Sequence, residues 1–374
     1  MNTTHPEAAA PLRCPMQGEE IPMVVDYRVL RQVSKDWKQF SSDVPFRVPI
    51  PSEEEDRSVR QLPIERDPPL HSEYRKLVDA WFKRPRSAEF QQELSRLIGE
   101  QLTPRINGEA FAAIHDLALP IQSLALTKLL GVPESESERW ISWGTHVFHS
   151  NTGEHHGQAL EDYLNEQFDR AEQEGGEDFF ALLSGCEFQG RRLSREELLG
   201  FGNLAFAGGR DTVINSICGL LGHVAEHPED LERLRAEPTL RAGALEELFR
   251  WISPVTQIGR VCPHGATLQG LEVPPMGRVS LNWARANRDP KVFPDPNHLD
   301  IARMPNPHVA FGSGPHSCIG ATHARALLRC LLDILCEQKL RVEILEASRE
   351  HAPSPYHNAN IYRKLKIRLR SSGI

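Results

Sequence analysis

The sequence predicts a mainly α protein with a minor β region, folded as one large domain. Three observations carry this expectation. Several stretches repeat apolar residues at helical spacing, the segment from Val261 to Val279 alternates apolar residues with Gly and Pro as short strands do, and no Ser/Gly-rich or charge-block linker divides the chain. The 374 residues are 40% hydrophobic and 25% charged, enough to enclose a large core. A prior of roughly 150 residues per domain allows two or three domains, but without a linker a single domain over 21–374 is expected, behind a loose lead-in at 1–20.

Taken in order, Pro45, Pro49, Pro51, Pro63, Pro68 and Pro69 mark an irregular stretch over 41–69, the kind of long loop that often serves as a lid. Leu70 to Phe82 then reads as a helix, with Asp67 and the two prolines as its start signal and Tyr74, Leu77, Val78, Trp81 and Phe82 on one face. Phe90 to Leu102, Pro120 to Leu130 and Gly157 to Glu172 follow as further helices. Ser194 to His227 is the longest helical candidate. It opens with a capping box, Ser194 and Glu197, and is apolar on nearly every face, as a helix through the centre of a protein would be. A shorter helix, Leu240 to Trp251, precedes the strands, and a last helix runs from about Cys318 to Gln338.

Charge and cysteine usage narrow the function. A formal net charge of −8 argues against a non-specific nucleic-acid binder, which needs a basic surface to displace phosphate counterions. The N-terminus lacks a signal-peptide layout, and no apolar run approaches the roughly 18 to 20 residues that span a bilayer, so a cytoplasmic protein with no membrane anchor is expected. Seven scattered cysteines with no C-x-x-C pair fit neither a disulfide framework nor a zinc ribbon.

The chemistry concentrates in Phe311-Gly312-Ser313-Gly314-Pro315-His316-Ser317-Cys318-Ile319-Gly320. Cys318 follows a glycine-rich loop at the start of a helix, where free N–H groups and the helix dipole stabilise a thiolate. A lone cysteine is by default a small buried hydrophobe, but glycines that let backbone approach a large flat ligand reverse that reading here, and a haem fits the description. The loop resembles that of the cytochrome P450 monooxygenases, F-G-x-G-x-H-x-C-x-G, at every signature position. The resemblance extends from about His71 to the C-terminus and implies the P450 fold around a buried haem b, with Cys318 as the iron ligand.

Two more elements fit the resemblance. Glu247-Leu248-Phe249-Arg250 matches the family's E-x-x-R pattern, and by itself would be an ordinary i, i+3 surface ion pair. With Arg303 in the third position it implies a buried structural network. Ala207-Gly208-Gly209-Arg210-Asp211-Thr212 lies inside the long central helix, where two adjacent glycines cost on the order of 2 kcal/mol relative to alanines. Close helix packing would explain them. The resemblance implies instead a groove for dioxygen beside Gly208 and Gly209, with Asp211 and Thr212 delivering protons; Arg210 falls at a variable position with no catalytic role. His71, Arg75, Arg260 and His316 occupy the family's positions for holding the haem propionates.

No Walker loop, G-x-G-x-x-G or flavin fingerprint is present, so electrons must come from outside. The expected donor is an acidic ferredoxin with a separate reductase, docking on Lys76, Arg325, Arg329 and His323. By family position, the substrate pocket is expected at the loop from Val44 to Leu62, at Leu204 and Ala207, at Val255, Thr256 and Ile258, and at Tyr356, His357 and Asn358. This mixed lining suits a small or medium substrate undergoing hydroxylation or oxidative O-demethylation. A peroxide-driven peroxygenase and a non-enzymatic haem sensor or carrier remain as alternatives. His146, His149, His155 and His156 read as a polar loop or helix edge rather than a metal site.

Overall fold

Ser194 starts the element around which the molecule is organised. Its hydroxyl accepts the Glu197 N–H while the Glu197 carboxylate accepts the Ser194 N–H, the reciprocal cap expected from the sequence. The helix does not run on to His227. It breaks at Arg210 (φ −101°, ψ −82°) into Arg195–Gly209 and Asp211–Glu226, so the single long helix is corrected to two.

The computed structural model describes residues 13–14, 21–50, 52–54, 57–145, 157–349 and 360–371. Their helices, in chain order, are α1 (Tyr27–Val33), α2 (Leu70–Asp79), α3 (Ala88–Leu102), α4 (Leu119–Leu130), α5 (Glu136–Ser142), α6 (Gly157–Glu174), α7 (Phe179–Gly185), α8 (Arg195–Gly209), α9 (Asp211–Glu226), α10 (Pro228–Ala236), α11 (Arg241–Ile252), α12 (Trp283–Ala286) and α13 (Ala321–Glu337). The helix expected over 70–82 ends at Asp79, and a tight 3-10 turn at Trp81–Arg86 completes it because Pro85 cannot continue an α-helix. α13 begins at Ala321, after Cys318 rather than at it. Among the described residues no helix is long and apolar enough to cross a membrane.

The expected strands form around Val261 and Val279: β6 (Gln257–Cys262) pairs antiparallel with β9 (Gly277–Asn282), and β7 (Ala266–Leu268) with β8 (Leu271–Val273). Strands outside the expected region join them. β1 (Arg13–Cys14) and β2 (Ile21–Val24) extend the first sheet, with β2 parallel to β9, and a long hairpin of β10 (Leu340–Arg349) and β11 (Tyr362–Ser371) carries β3 (Phe111–Ala112) on its edge. A small hairpin, β4 (Glu187–Phe188) and β5 (Arg191–Arg192), precedes α8. The main core is built by α3, α4, α6, α8, α9, α11 and α13; a second cluster packs α1 on β6 and β9.

The described part of 41–69 contains no helix, as expected, but it is bolted down. Arg57 and Glu65 form an ion pair at 2.6 Å with both side chains fully buried. The Glu65 carboxylate also accepts the N–H groups of Phe46 (3.0 Å) and Gln61 (2.9 Å). Leu62 N–H donates to Gly200 O at 3.1 Å, and Gln61 donates to Asn203 at 2.9 Å, which fastens the loop to α8. Gly200 permits this approach, since a Cβ there would lie 2.5 Å from Arg60 O. The loop therefore presents a fixed edge, Leu62 to Ile64, to the interior.

Candidate active site

One cavity collects most of the chemically distinctive residues. Its volume of about 300 Å³ lies at the lower end of the usual range of about 300 to 1,000 Å³ for a small-ligand pocket, and it is bounded by the 62–64 loop, α2, α8, α9, β6 and the segment from Ala310 to Ala324.

On one wall, Gly312 and Gly314 both adopt left-handed conformations (φ +74° and +76°). A Cβ on Gly314 would lie 2.7 Å from Ser34 O, so this turn requires glycine. The turn brings Cys318 N–H to Phe311 O at 2.8 Å and faces the thiol into the cavity, so the surface that Cys318 exposes is cavity wall. Burial pushes the thiol pKa up; the N–H groups of Gly320 and Ala321 and the cations of Arg75 and Arg325 pull it down. The expected stabilisation by helix-start N–H groups is thus present, supplied by the first turn of a helix that begins three residues after the sulfur.

Leu204, Ala207, Gly208, Gly209 and Thr212 line the same cavity. A Cβ on Gly208 would meet nothing nearer than Leu204 at 4.0 Å, and one on Gly209 nothing nearer than Leu126 at 3.7 Å. Close helix packing does not require these glycines; they border open cavity. At the break, the Thr212 hydroxyl donates to Gly208 O (2.9 Å), and Gln122 of α4 donates to Gly209 O (3.0 Å). Gln122 carries no motif, and only the fold brings it here. Asp211 begins α9 beside Thr212 but does not line the cavity.

The cavity also gathers His71, Arg75, Arg260 and His316, of which Arg75 donates to Ser317 O at 2.6 Å. His71 and Arg75 share a face of α2, and Ile258 and Arg260 share a face of β6, as i, i+4 and i, i+2 spacing dictate. The His71 and His316 rings lie 4.2 Å apart. Among the described residues, His71 Nδ1 and both ring nitrogens of His316 are buried without a hydrogen-bond partner. Arg260, also buried, donates to Gly259 O at 2.7 Å. Burial, aided by neighbouring cations, pushes His71 to about 4 and His316 to about 2, and burial lowers Arg260 to about 10, which leaves it charged at neutral pH. Asp67, until now only a helix start signal, holds Ser41 and the Ser42 N–H and lies 4.0 Å from His316. Buried donors without acceptors are what an anionic ligand edge would satisfy. With the Cys318 sulfur, Gly208 and Gly209 and these unpartnered buried donors lining one cavity, the residues present fit a haem whose propionates His71, Arg75, Arg260 and His316 would hold.

The other sequence expectations divide. Val255 and Ile258 line the cavity; Thr256 does not, and its carbonyl instead accepts Ala284 N–H at 3.3 Å, a correction. Pro63, Ile64, Phe82, Phe179 and Pro254 line it unforeseen. Tyr356, His357 and Asn358, and the four histidines from His146 to His156, lie outside the described residues. Glu247 and Arg250 are fully buried and doubly bonded (2.7 and 2.8 Å), with Arg303 at 2.9 Å, and Arg250 also takes three backbone carbonyls. That satisfaction fits a structural network away from the cavity. The expected basic docking patch is largely neutralised: Glu246 holds Arg325 through two bonds of 2.7 Å, Asp333 holds Arg329, and His323 is buried, while Lys76 is exposed.

His323 offers a test of burial. Desolvation alone pushes it down to about 4. Below pH ~6.5 the unfolded chain takes up a proton that the folded one refuses, so stability falls as pH drops from ~6.5 to ~4, by about 3 kcal/mol at this site. His323→Phe is expected to lose that part of the acid sensitivity in urea titrations at pH 7 and pH 4.5; an unchanged difference would refute it.

The comparisons agree with this geometry. The family model described as Cytochrome P450 matches residues 154–356. The cytochrome P450 monooxygenase PikC of Streptomyces venezuelae is 31% identical over 336 residues, 86% of this chain and 79% of its own. Linalool 8-monooxygenase of Pseudomonas putida is 29% identical, covering 79% and 76%. A solved structure described as a carbohydrate active P450 superposes with a TM-score of 0.91 at 41% identity, covering 96% of this chain and 94% of that one. A glycine-framed cysteine, a helix break lining the same cavity and this kinship lead to one conclusion: the chain belongs to the cytochrome P450 family of monooxygenases, whose cofactor is haem b.

Proposed function

We propose that this enzyme inserts an oxygen atom into a carbohydrate at a carbon bearing hydrogen, and that a methyl ether carbon is the group presented for reaction. Bound haem supplies the activation of dioxygen, and the chain supplies position, protons and exclusion of water. The observation that carries the reading is that Cys318 and Gly208, Gly209 and Thr212 line one cavity. Cys318 would ligate the haem iron, its sulfur steadied by the Gly320 and Ala321 N–H groups. His71, Arg75, Arg260 and His316 would hold the propionates. Thr212, whose hydroxyl donates to Gly208 O, keeps lone pairs to accept a hydrogen bond beside the groove, and Asp211, next to it at the start of α9 and outside the cavity, links the groove to a proton relay.

The 41% identity to a carbohydrate active P450 supports the substrate class. The wall near the groove, formed by Leu62, Pro63, Ile64, Leu204, Ala207, Val255 and Ile258, is apolar, which suits a methyl group or a hydrogen-bearing face of a sugar better than its hydroxyls. Oxidation of a methyl ether carbon releases formaldehyde and leaves a free hydroxyl, so the outcome is measurable. Titration of the ferric enzyme with a panel of sugars and their methyl ethers is expected to give a spin-state shift with a methyl ether, followed by one formaldehyde per turnover. Shifts confined to terpenes or fatty acids would overturn the substrate class, and a hydroxylated sugar without formaldehyde would overturn demethylation.

The chain carries no nicotinamide or flavin motif, which supports an external donor, a ferredoxin with its own reductase, in the cytoplasm. Thr212→Ala is expected to consume oxygen and reductant at a similar rate while peroxide replaces most of the product. Unchanged coupling would mean that protons arrive by another route.

A further inference from the structure

Arg210 stands where α8 ends and α9 begins, and its residue is 0% exposed. A guanidinium in such surroundings is costly unless its donors are occupied. Nε donates to Gly144 O at 2.9 Å, and one terminal nitrogen donates to the carbonyls of both Gly144 and Trp140. The other terminal nitrogen is buried with no hydrogen-bond partner among the described residues. Trp140 belongs to the last turn of α5, where its carbonyl also accepts the Trp143 N–H at 3.2 Å, and Gly144 closes that turn at φ +77°, so Arg210 binds the carbonyls of a helix end.

The break is therefore held from three directions. Arg210 grips the end of α5, Gln122 of α4 holds Gly209 O, and the Thr212 hydroxyl holds Gly208 O. The Arg210 carbonyl then starts α9 by accepting the N–H groups of Val213 (3.1 Å) and Ile214 (3.0 Å). Each helical residue turns by about 100°, so the geometry of this one residue decides which face of α9 Thr212 presents. Arg210 itself does not line the cavity. A neutral cap could satisfy two carbonyls at lower cost than a buried cation with a spare donor. What distinguishes Arg210 is its place between Gly209 and Asp211, inside the groove sequence.

We propose that Arg210 is a positioning residue: by gripping the end of α5 it fixes the helix break, and so aims Gly208, Gly209 and Thr212 at the haem cavity. The inference rests on the family's haem chemistry and is independent of the carbohydrate assignment.

The test uses the holoenzyme and two variants, Arg210→Met, which keeps the aliphatic stem without the donors, and Arg210→Lys, which keeps the charge with a weaker grip. Two readouts need no known substrate: the C–O stretching band of the reduced carbon monoxide complex, which senses the groove, and the share of consumed oxygen released as peroxide. Arg210→Met is expected to shift and broaden the band and to raise the peroxide share several-fold, with Arg210→Lys intermediate. A wild-type band and peroxide share in Arg210→Met, whatever its thermal midpoint, would make Arg210 a fold stabiliser only. If Arg210→Met does not take up haem, Arg210→Lys decides: an unshifted band overturns the proposal. A wild-type complex without the red-shifted Soret band of a thiolate ligand would instead strike at the haem assignment itself.

Discussion

Cys318→His is expected to leave a folded, haem-binding protein with no detectable monooxygenase turnover. Its reduced carbon monoxide complex should lose the strongly red-shifted Soret band of the wild type. The reason is electronic: a thiolate pushes density onto the iron and favours O–O cleavage, which imidazole does far less well. Local structure sharpens the expectation. The Gly320 and Ala321 N–H groups that steady a sulfur anion would face a neutral ring, while His71, Arg75 and Arg260, on α2 and β6, are untouched by the change. Among the described residues, Cys186, Cys218, Cys262, Cys330 and Cys336 do not line the cavity, so none of these five thiols substitutes. The absorption spectrum of the reduced, carbon monoxide-treated variant, taken with product analysis, checks both halves; retained turnover would sink the ligand assignment.

Glu65→Gln is expected to lower stability, by less than the roughly 3 to 5 kcal/mol that follows when a buried charge is left wholly unpaired, because Glu53 still pairs with Arg57 at 2.5 Å. Arg57 keeps its charge with a fully buried side chain, and the amide cannot offer the two anionic oxygens that now serve Arg57, the Phe46 N–H and the Gln61 N–H. Because Leu62, Pro63 and Ile64 reach the cavity through this loop, the loss should extend beyond stability. Substrate affinity, read from the spin-state titration, should weaken, while the carbon monoxide spectrum stays that of a thiolate-ligated haem. Thermal unfolding of the holoenzyme measures the first effect. A midpoint within experimental error of wild type would show that the loop is held elsewhere.

Much of the site was legible because its chemistry is local in sequence. Cys318 and the glycines that shape its turn are neighbours in the chain, and so are Gly208, Gly209 and Thr212; His71 with Arg75 needs only one helical turn to share a face. The strand carrying Ile258 and Arg260 follows from period-2 alternation. Other features were hidden. Gln122 lies in α4 without any motif, and meets Gly209 only when α4 packs beside the break. Thr256 shares the sequence neighbourhood of Val255 and Ile258 yet does not line the cavity; its backbone carbonyl accepts the N–H of Ala284 on α12, a contact that only the packing of the chain makes. The docking cations looked free because Glu246 and Asp333 are found beside them only once α11 and α13 are placed.

By itself the sequence determined the fold class and, through the family its motifs resemble, the haem cofactor, and it singled out the two motifs that line one cavity, since each is written in residues a few positions apart. Tertiary structure alone decided the break at Arg210, the buried Arg57–Glu65 pair that pins the 41–69 loop, and the neutralised docking patch. Each of these joins side chains to groups on separate elements, and burial sets its strength: a cation's energy depends on what surrounds it after packing, which no local pattern encodes.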